Sequence, residues 1–374
     1  MKYYIVAGEA SGDLHGANLM KSIYTQDKDA EIRFWGGDLM QAVGGTLVTH
    51  YKERAFMGFI EVILNLPKVL GFIKSCKKDI FQFQPDVVIF IDNSGFNLRI
   101  AKWAKAQNFK TNYYISPQVW ASRAGRVKEI KRDIDKLFVI LPFEKEFYQK
   151  QGYQVEFVGH PLIDAIADRT QMEETAFREK YQLNSKRIIA LLPGSRKQEI
   201  TKMLSVMLSL VDQFPEYQFV IAGAPSQEFH FYKQIIGDHK VSFINNKTYD
   251  LLSFSYAALV GSGTATLETA LFKVPQVVCY KGSAISYQIA KRIITLQYIS
   301  LVNLIMNREV VKELIQNDFT KKKLQEALTR ILDPVHREQL FSEYYELENL
   351  LGGKGASERV AKQIVADLKA TYHE

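Results

Sequence analysis

Short apolar runs alternate with longer amphipathic segments along most of this chain, and that alternation constrains its fold more than any other feature. The early runs are Tyr3 to Ala7, Ile32 to Trp35, Val87 to Ile91, Asn112 to Ile115, Leu137 to Leu141 and Val155 to Val158. Most show little polar alternation, so they read as strands buried on both faces. Between them, stretches such as Leu98-Arg-Ile-Ala-Lys-Trp-Ala-Lys-Ala and Glu144-Lys-Glu-Phe-Tyr-Gln-Lys repeat apolar residues at spacings of three and four, the helical period. Strand and helix in alternation predict a parallel, doubly wound α/β sheet.

From Arg187 the pattern restarts with Ile188 to Leu192, Phe219 to Ala222, Val241 to Ile244, Ala258 to Val260 and Val277 to Tyr280. A length of 374 residues agrees with two domains, each large enough for its own core. The charged stretch from about Asp164 to Lys186 carries the change between them. After about Phe319 the strand-like runs stop, and Lys321 to Ile331, His336 to Leu351 and Ala356 to Tyr372 read as helices. Ligands of open parallel sheets bind beyond the carboxyl ends of the strands, so the loops leaving those strands are where chemistry is expected.

Several function classes fall away on simple counts. Two cysteines, Cys76 and Cys279, supply neither a disulfide framework nor a thiolate metal site. The seven histidines, at 15, 50, 160, 230, 239, 336 and 373, form no His-x-x-x-His pair, so neither a metal nor another cofactor is expected. No Gly-x-Ser-x-Gly elbow and no P-loop appears. No apolar run reaches the roughly 18 residues needed to cross a bilayer. The opening Tyr3-Tyr4-Ile5-Val6-Ala7 reads as a strand rather than a signal-peptide core, so a cytoplasmic protein is expected. Lysine and arginine number 48 against 41 aspartates and glutamates, a surplus that favours an anionic partner.

The first strand ends in Gly8-Glu9-Ala10-Ser11-Gly12-Asp13, whose Gly-x-x-x-Gly spacing is not the dinucleotide fingerprint. This turn either faces a substrate or is a tight strand-to-helix turn capped by Ser11 or Asp13. The run Val87 to Ile91 leads straight into Asp92-Asn93-Ser94-Gly95-Phe96-Asn97. Desolvation at the end of a buried strand would raise the pKa of Asp92 and make it a candidate general base; capping the next helix is the alternative use. Ser116-Pro117-Gln118-Val119-Trp120 follows another strand. Beyond it Arg123, Arg126, Lys128, Lys131 and Arg132, interleaved with Glu129, Asp133 and Asp135, form a basic face that meets either phosphate or solvent.

In the second half Leu191-Leu192-Pro193-Gly194-Ser195-Arg196 places a small turn and an arginine at a strand end, suited to bidentate contact with a diphosphate. The later turn Gly261-Ser262-Gly263-Thr264-Ala265-Thr266-Leu267-Glu268 enters a helix whose amide end can hold phosphate oxygens, with Glu268 one turn inside for ribose hydroxyls. Two anion-receptive turns in one α/β domain point to a nucleotide diphosphate. A separate stretch, Ala55 to Ile73, reads AFMGFIEVILNLPKVLGFI, with Glu61 and Lys68 its only charges and Pro67 breaking any helix. It is either core or a lip that enters a lipid interface, with Lys68, Lys74, Lys77 and Lys78 placed for anionic headgroups.

Nine stretches together resemble the lipid-A-disaccharide synthases, glycosyltransferase family 19: VAGEASGDLHGA (6 to 17), MGFIEV (57 to 62), FIDNSGFN (90 to 97), YISPQVWASRAGRV (114 to 127), LPFEKEFY (141 to 148), FVGHPLID (157 to 164), LLPGSR (191 to 196), GSGTATLE (261 to 268) and YISLVNLI (298 to 305). The resemblance implies a GT-B fold, with two doubly wound Rossmann-like domains facing a cleft and helices at the C-terminus. Residues 1–165 would bind acceptor and acyl chains, 166–345 the UDP-sugar, and the helix in 346–374 would pack back on the first domain. It further implies inverting transfer of 2,3-diacylglucosamine from its UDP derivative to 2,3-diacylglucosamine 1-phosphate, giving a β-1,6-linked disaccharide phosphate and UDP. No nucleic acid is involved; peripheral attachment to the cytoplasmic face of the inner membrane of a Gram-negative bacterium, and a homodimer, are expected.

Carried over residue by residue, the resemblance makes Asp92 and Arg196 catalytic. It assigns nucleotide binding to Gly194, Ser195, Arg196, Gly261, Ser262, Gly263, Thr264, Ala265, Thr266 and Glu268. Substrate contacts would come from Gly8, Glu9, Ser11, Gly12, Asn97, Ser116, Gln118, Trp120 and Asn303. Membrane or acyl contacts would come from Met57, Phe59, Ile60, Val62, Ile63, Leu64, Leu66, Val69, Leu70 and Phe72. One departure is Gly95, where many relatives carry a second carboxylate in an Asp-x-x-Asp-Phe-Asn pattern. Two rivals share part of this reading. A GT-B UDP-N-acetylglucosamine 2-epimerase would need no lipid-facing run, and a two-domain solute-binding protein would need an export signal.

Overall fold

The computed structural model describes residues 1–54, 66–122, 124–282 and 297–373. Two compact units emerge, one of Met1–Ala165 with Leu351–Glu374, the other of Ile166–Leu350. The chain leaves the second unit after Leu350, whereas the sequence reading puts that crossing after residue 345.

Unit 1 holds β1 (Lys2–Ala7), β2 (Glu31–Gly36), β3 (Thr46–His50), β4 (Val87–Ile91), β5 (Thr111–Tyr114), β6 (Lys136–Val139) and β7 (Glu156–Phe157). They form one parallel sheet in the order β3-β2-β1-β4-β5-β6-β7. The strands at its centre are apolar throughout because helices cover both faces. Tyr4, Val6, Val88 and Phe90 point into one core, whereas Tyr3, Ile5, Ile89 and Ile91 point into the other, the two-residue period of a strand. The second core is closed by the helix Ala10–Gln26 and by the last helix, Ala356–His373, through Val360, Ala361, Ile364, Val365 and Leu368. At about 1.5–3 kcal/mol for each fully buried aliphatic side chain, that last helix is a major contributor to unit 1. Its first turn is held by Asp164, whose carboxylate accepts from Gly355 N at 2.6 Å and Ala356 N at 3.0 Å.

Unit 2 repeats the plan with β8 (Arg187–Leu192), β9 (Tyr217–Gly223), β10 (Ser242–Asn245), β11 (Ser255–Gly261), β12 (Gln276–Tyr280) and β13 (Lys312–Ile315). Their order is β10-β9-β8-β11-β12-β13, again all parallel. In both sheets the winding direction reverses beside the first strand, between β1 and β4 and between β8 and β11. Such a switch point opens a crevice at the carboxyl ends of the two strands, where doubly wound proteins bind ligands. The strands absent from the sequence reading, β3 and β13, both lie at sheet edges, and their residues, TLVTH and KELI, are half polar.

Candidate functional site

The switch point of unit 1 is formed by the loops after β1 and β4, which touch. A Cβ on Gly8 would lie 1.7 Å from Asn93 Nδ2, so any side chain there would push Asn93 out of its place. Asp92 and Asn93 take consecutive left-handed conformations, with φ of +47° and +45°. That region is costly for most residues and tolerated best by Asn and Asp. The kink is pinned from below: the Asn97 amide donates to the carbonyls of Val6 at 3.3 Å, Ile91 at 3.1 Å and Asp92 at 2.8 Å. The buried Tyr113 hydroxyl also donates to the Asp92 carbonyl. Asp92 is thereby held with its carboxyl partly desolvated, which raises its pKa, an effect only partly offset by the backbone N–H of Asn93.

Several sequence assignments in this unit change. Asp92 does not cap the following helix, Ser94–Ala106, whose N-cap is Asn93 and carries no side-chain bond. Neither Ser11 nor Asp13 caps Ala10–Gln26, whose N-cap is Glu9. Asp13 reaches instead to a second helix, Asp38–Val43, and accepts from Gly37 N at 2.7 Å, Leu39 N at 3.0 Å and Met40 N at 3.1 Å. Asn97 is fully buried, so it positions the loop and makes no direct substrate contact. Gly12 is buried too, and a Cβ there would stand 3.3 Å from that of Ala7, so its smallness serves helix-to-strand packing. Gly8, Glu9 and Ser11 remain at the accessible rim.

The Ser116 to Trp120 loop is fastened to the helix Pro142–Lys150. Ser116 is buried, shares a 2.7 Å hydrogen bond with Tyr148 and bonds to Pro117 O, so it braces the loop instead of meeting substrate. Trp120 stands edge-on to Phe143, with ring centroids 4.9 Å apart, and Gln118 is exposed. Beneath them lies Glu144, 1% exposed, accepting from the backbone N–H groups of Leu141 at 2.9 Å and Ile140 at 3.2 Å. Burial pushes its carboxyl up to about 7, opposed only in part by those donors and by Trp120 and Ser116. Its backbone donors are local, but Trp120 and Ser116 come from 20 or more residues away, so the local sequence does not signal the burial of this group.

The switch point of unit 2 gathers the two turns that the sequence singles out. Gly194, at φ +98°, and Gly261 bring them together: a Cβ on Gly261 would lie 3.3 Å from Gly194 N. Arg196 is 83% exposed in its side chain, with a single 3.3 Å contact to Glu199. It lines a cavity of about 260 Å³ with Lys197, Lys202, Tyr280 and Lys281. The lysines are additions from the structure; Lys281 follows β12 and only the sheet order reveals it as a neighbour of Arg196. Gly263, at φ +142°, is the N-cap of the helix Thr264–Leu271, whose first amides lack partners within the helix. Ser195, Gly263 and Thr264 are exposed, and Ser262 and Ala265 are half-buried.

Two polar side chains of unit 2 are consumed inside it and, contrary to the sequence reading, do not reach a ligand. The Thr266 hydroxyl is fully buried and bonds to Gly263 O at 2.8 Å, so it shapes the turn and offers a ligand nothing. Asn303 is likewise fully buried; its amide group binds Val311 O and Glu313 and accepts from the N–H groups of Val310 and Val311. It braces unit 2 instead of contacting substrate. Glu268 is held by the Tyr249 hydroxyl at 2.8 Å, and burial raises its pKa.

Of the apolar run, Met57, Phe59, Ile60, Val62, Ile63 and Leu64 lie outside the described residues, as does Arg123. Leu66 opens the helix Leu66–Phe83. Leu70 on that helix is 53% exposed, but Val69 and Phe72 turn inward onto the unit 1 core, Phe72 edge-on to Trp35 at 6.3 Å. These two therefore belong to the packed face. No described helix is long and apolar enough to cross a membrane, and no described cluster of His, Cys, Asp and Glu could hold a metal ion.

A family model described as lipid-A-disaccharide synthetase matches residues 3–366. The chain is 38% identical over 369 residues to the lipid-A-disaccharide synthase of Geobacter metallireducens, covering 96% of this chain and 94% of that protein. It is 39% identical over 377 residues to the one from Syntrophus aciditrophicus, covering 98% and 97%. Among solved structures, UDP-GlcNAc 2-epimerase from Neisseria meningitidis bound to UDP-GlcNAc superposes with a TM-score of 0.70 at 14% identity, covering 98% of this chain and 100% of that one. This last likeness is one of fold alone.

Proposed function

The chain belongs to the lipid-A-disaccharide synthase family of glycosyltransferases, and from that premise we propose how its residues carry the reaction. The fold is GT-B, and the reaction is transfer of 2,3-diacylglucosamine from its UDP derivative to 2,3-diacylglucosamine 1-phosphate, with inversion at the anomeric carbon. The epimerase reading shares the fold at 14% identity, whereas the family match spans residues 3–366, and this decides for transfer.

Asp92 accepts the proton of the acceptor 6-hydroxyl as that oxygen bonds to the anomeric carbon. The bond from this carbon to the diphosphate breaks, and UDP leaves with the electron pair. A raised pKa suits a base that must hold a proton briefly and then release it to water. Arg196, the adjacent Lys197, Lys202 and Lys281, and the amides at Gly263 and Thr264 take up charge on the leaving diphosphate, where one preorganised donor is typically worth about 3 kcal/mol. Glu268, oriented by Tyr249, receives the ribose hydroxyls. The observation that carries this reading is the placement of both loop pairs at the two switch points. It is tested by product analysis after mixing the protein with UDP-diacylglucosamine and the 1-phosphate acceptor; absence of disaccharide phosphate refutes it.

Both substrates carry acyl chains, so we extend the proposal to peripheral attachment at an anionic membrane surface through the 55 to 73 run. The exposed Leu70, with Lys74 and Lys78 exposed farther along the same helix, supports it. No described feature argues for the homodimer.

A further inference from the structure

A second basic cavity lies in unit 1. It encloses about 190 Å³ between the helices Ser94–Ala106 and Val127–Asp133. Arg99, Lys102, Arg126 and Arg132 contribute four cations against Glu129 and Asp133. Arg132 is already spoken for: it grips Asp133 through two bonds of 2.7 and 2.6 Å. Among the described residues Arg99, Lys102 and Arg126 form no ion pair, and Arg99 and Lys102 sit three apart on one helix face, where like charges repel. Four cations against two carboxylates leave a surplus of two positive charges around one hollow, which suits a compact anion, and guanidinium groups match phosphate oxygens two at a time.

The cavity also has a fixed relation to the base. Ser94 and Gly95, directly after Asp92 and Asn93, form one wall, and a Cβ on Gly95 would meet nothing within 4 Å. Two residues of chain span at most about 7 Å, so the wall begins at Ser94 within about one hexose of Asp92. On a glucosamine 1-phosphate acceptor, the phosphate hangs from C1 and the 6-hydroxyl from the carbon on C5, the two atoms that flank the ring oxygen, so both groups fall within the span of one such ring. We propose that this cavity binds the phosphate monoester of the acceptor and thereby aims its 6-hydroxyl at Asp92. The inference rests on the transfer reaction proposed above and adds the acceptor subsite to it.

The test uses the full chain in neutral detergent micelles, with Arg99→Gln plus Lys102→Gln and, separately, Arg126→Gln. Each variant is expected to raise the acceptor KM by about tenfold or more, the usual scale for a lost charge-assisted bond, and to leave the UDP-donor KM within about twofold. Glucosamine 1-phosphate is expected to raise the melting temperature of the wild type and of neither variant, while UDP stabilises all three and so reports intact folding. Unchanged acceptor KM, or an equal thermal response to glucosamine 1-phosphate in the variants, overturns the subsite. A KM effect that appears only on phosphatidylglycerol vesicles assigns these cations to lipid headgroups and overturns it as well. Failure of the wild type to make disaccharide strikes the reaction instead, and the thermal-shift arm then still decides whether the cavity takes a sugar phosphate.

Discussion

Glu144→Gln is expected to stabilise unit 1, and to do so more strongly as the pH rises. The carboxyl is 1% exposed and its pKa stands at about 7 against 4.5 for the free side chain. A group whose folded pKa is raised binds its proton more tightly when folded, so ionisation costs stability. The cost is absent below the unfolded value near 4.5, grows between there and about 7, and is fully present above that. At about 1.4 kcal/mol per unit, the full cost is about 3 kcal/mol. Glutamine keeps an oxygen to accept from Ile140 and Leu141 but has no charge to desolvate. The two proteins should therefore differ by about 2–3 kcal/mol more at pH 8 than at pH 5, the variant being favoured. Trp35, Trp103 and Trp120 all lie in unit 1, so urea unfolding followed by tryptophan emission reads this unit and not the other. A gap that does not change from pH 5 to pH 8 would show that Glu144 is an ordinary carboxylate and that the cause assigned to its shift is wrong.

Asp92→Asn should cut turnover by about 10² or more while leaving the UDP-induced melting shift intact. Because the Asp92 pKa is raised by burial, the variant should also be at least as stable as wild type above neutral pH; turnover above about a tenth of wild type contradicts the assignment of the base. UDP at 100 times its dissociation constant should stabilise the protein by about 2.7 kcal/mol and NAD should not, and Glu268→Ala should reduce the UDP shift; equal responses to both ligands count against the nucleotide turn. Ile63→Ser, Leu64→Ser and Leu66→Ser in combination should lower flotation with phosphatidylglycerol vesicles and leave melting unchanged, whereas an unfolded triple variant identifies the run as core.

What could be read from sequence divides along a physical line. β1 and β4 were legible because central strands of a parallel sheet are apolar throughout, and the loops that follow them inherit their place at the switch point from the strand order. β3 and β13 escaped because TLVTH and KELI mix polar with apolar residues and lack a continuous apolar run. Side-chain direction was the less legible part. Asp13 serves a helix that starts 25 residues later, and Asn97 holds a carbonyl 91 residues away, so no local pattern could separate such braces from ligand contacts. The Asn303 amide and the Thr266 hydroxyl fail as substrate contacts for the same reason: conspicuous polar groups next to a turn can be wholly consumed inside it.

The last helix, Ala356–His373, closes the second core of the first unit, and this bears on the order in which the chain matures during synthesis. Residues through Ala165 leave the ribosome with one face of their sheet covered by Ala10–Gln26 but still lacking the last helix, and roughly 190 further residues must be made before that helix begins. At about 5–20 residues per second the wait is on the order of 10–40 s, far longer than hydrophobic collapse. The second unit, continuous in sequence, can fold to completion in that interval. The unit that begins first therefore finishes last, and until then the part of its apolar face that awaits the last helix is a surface for chaperones to hold.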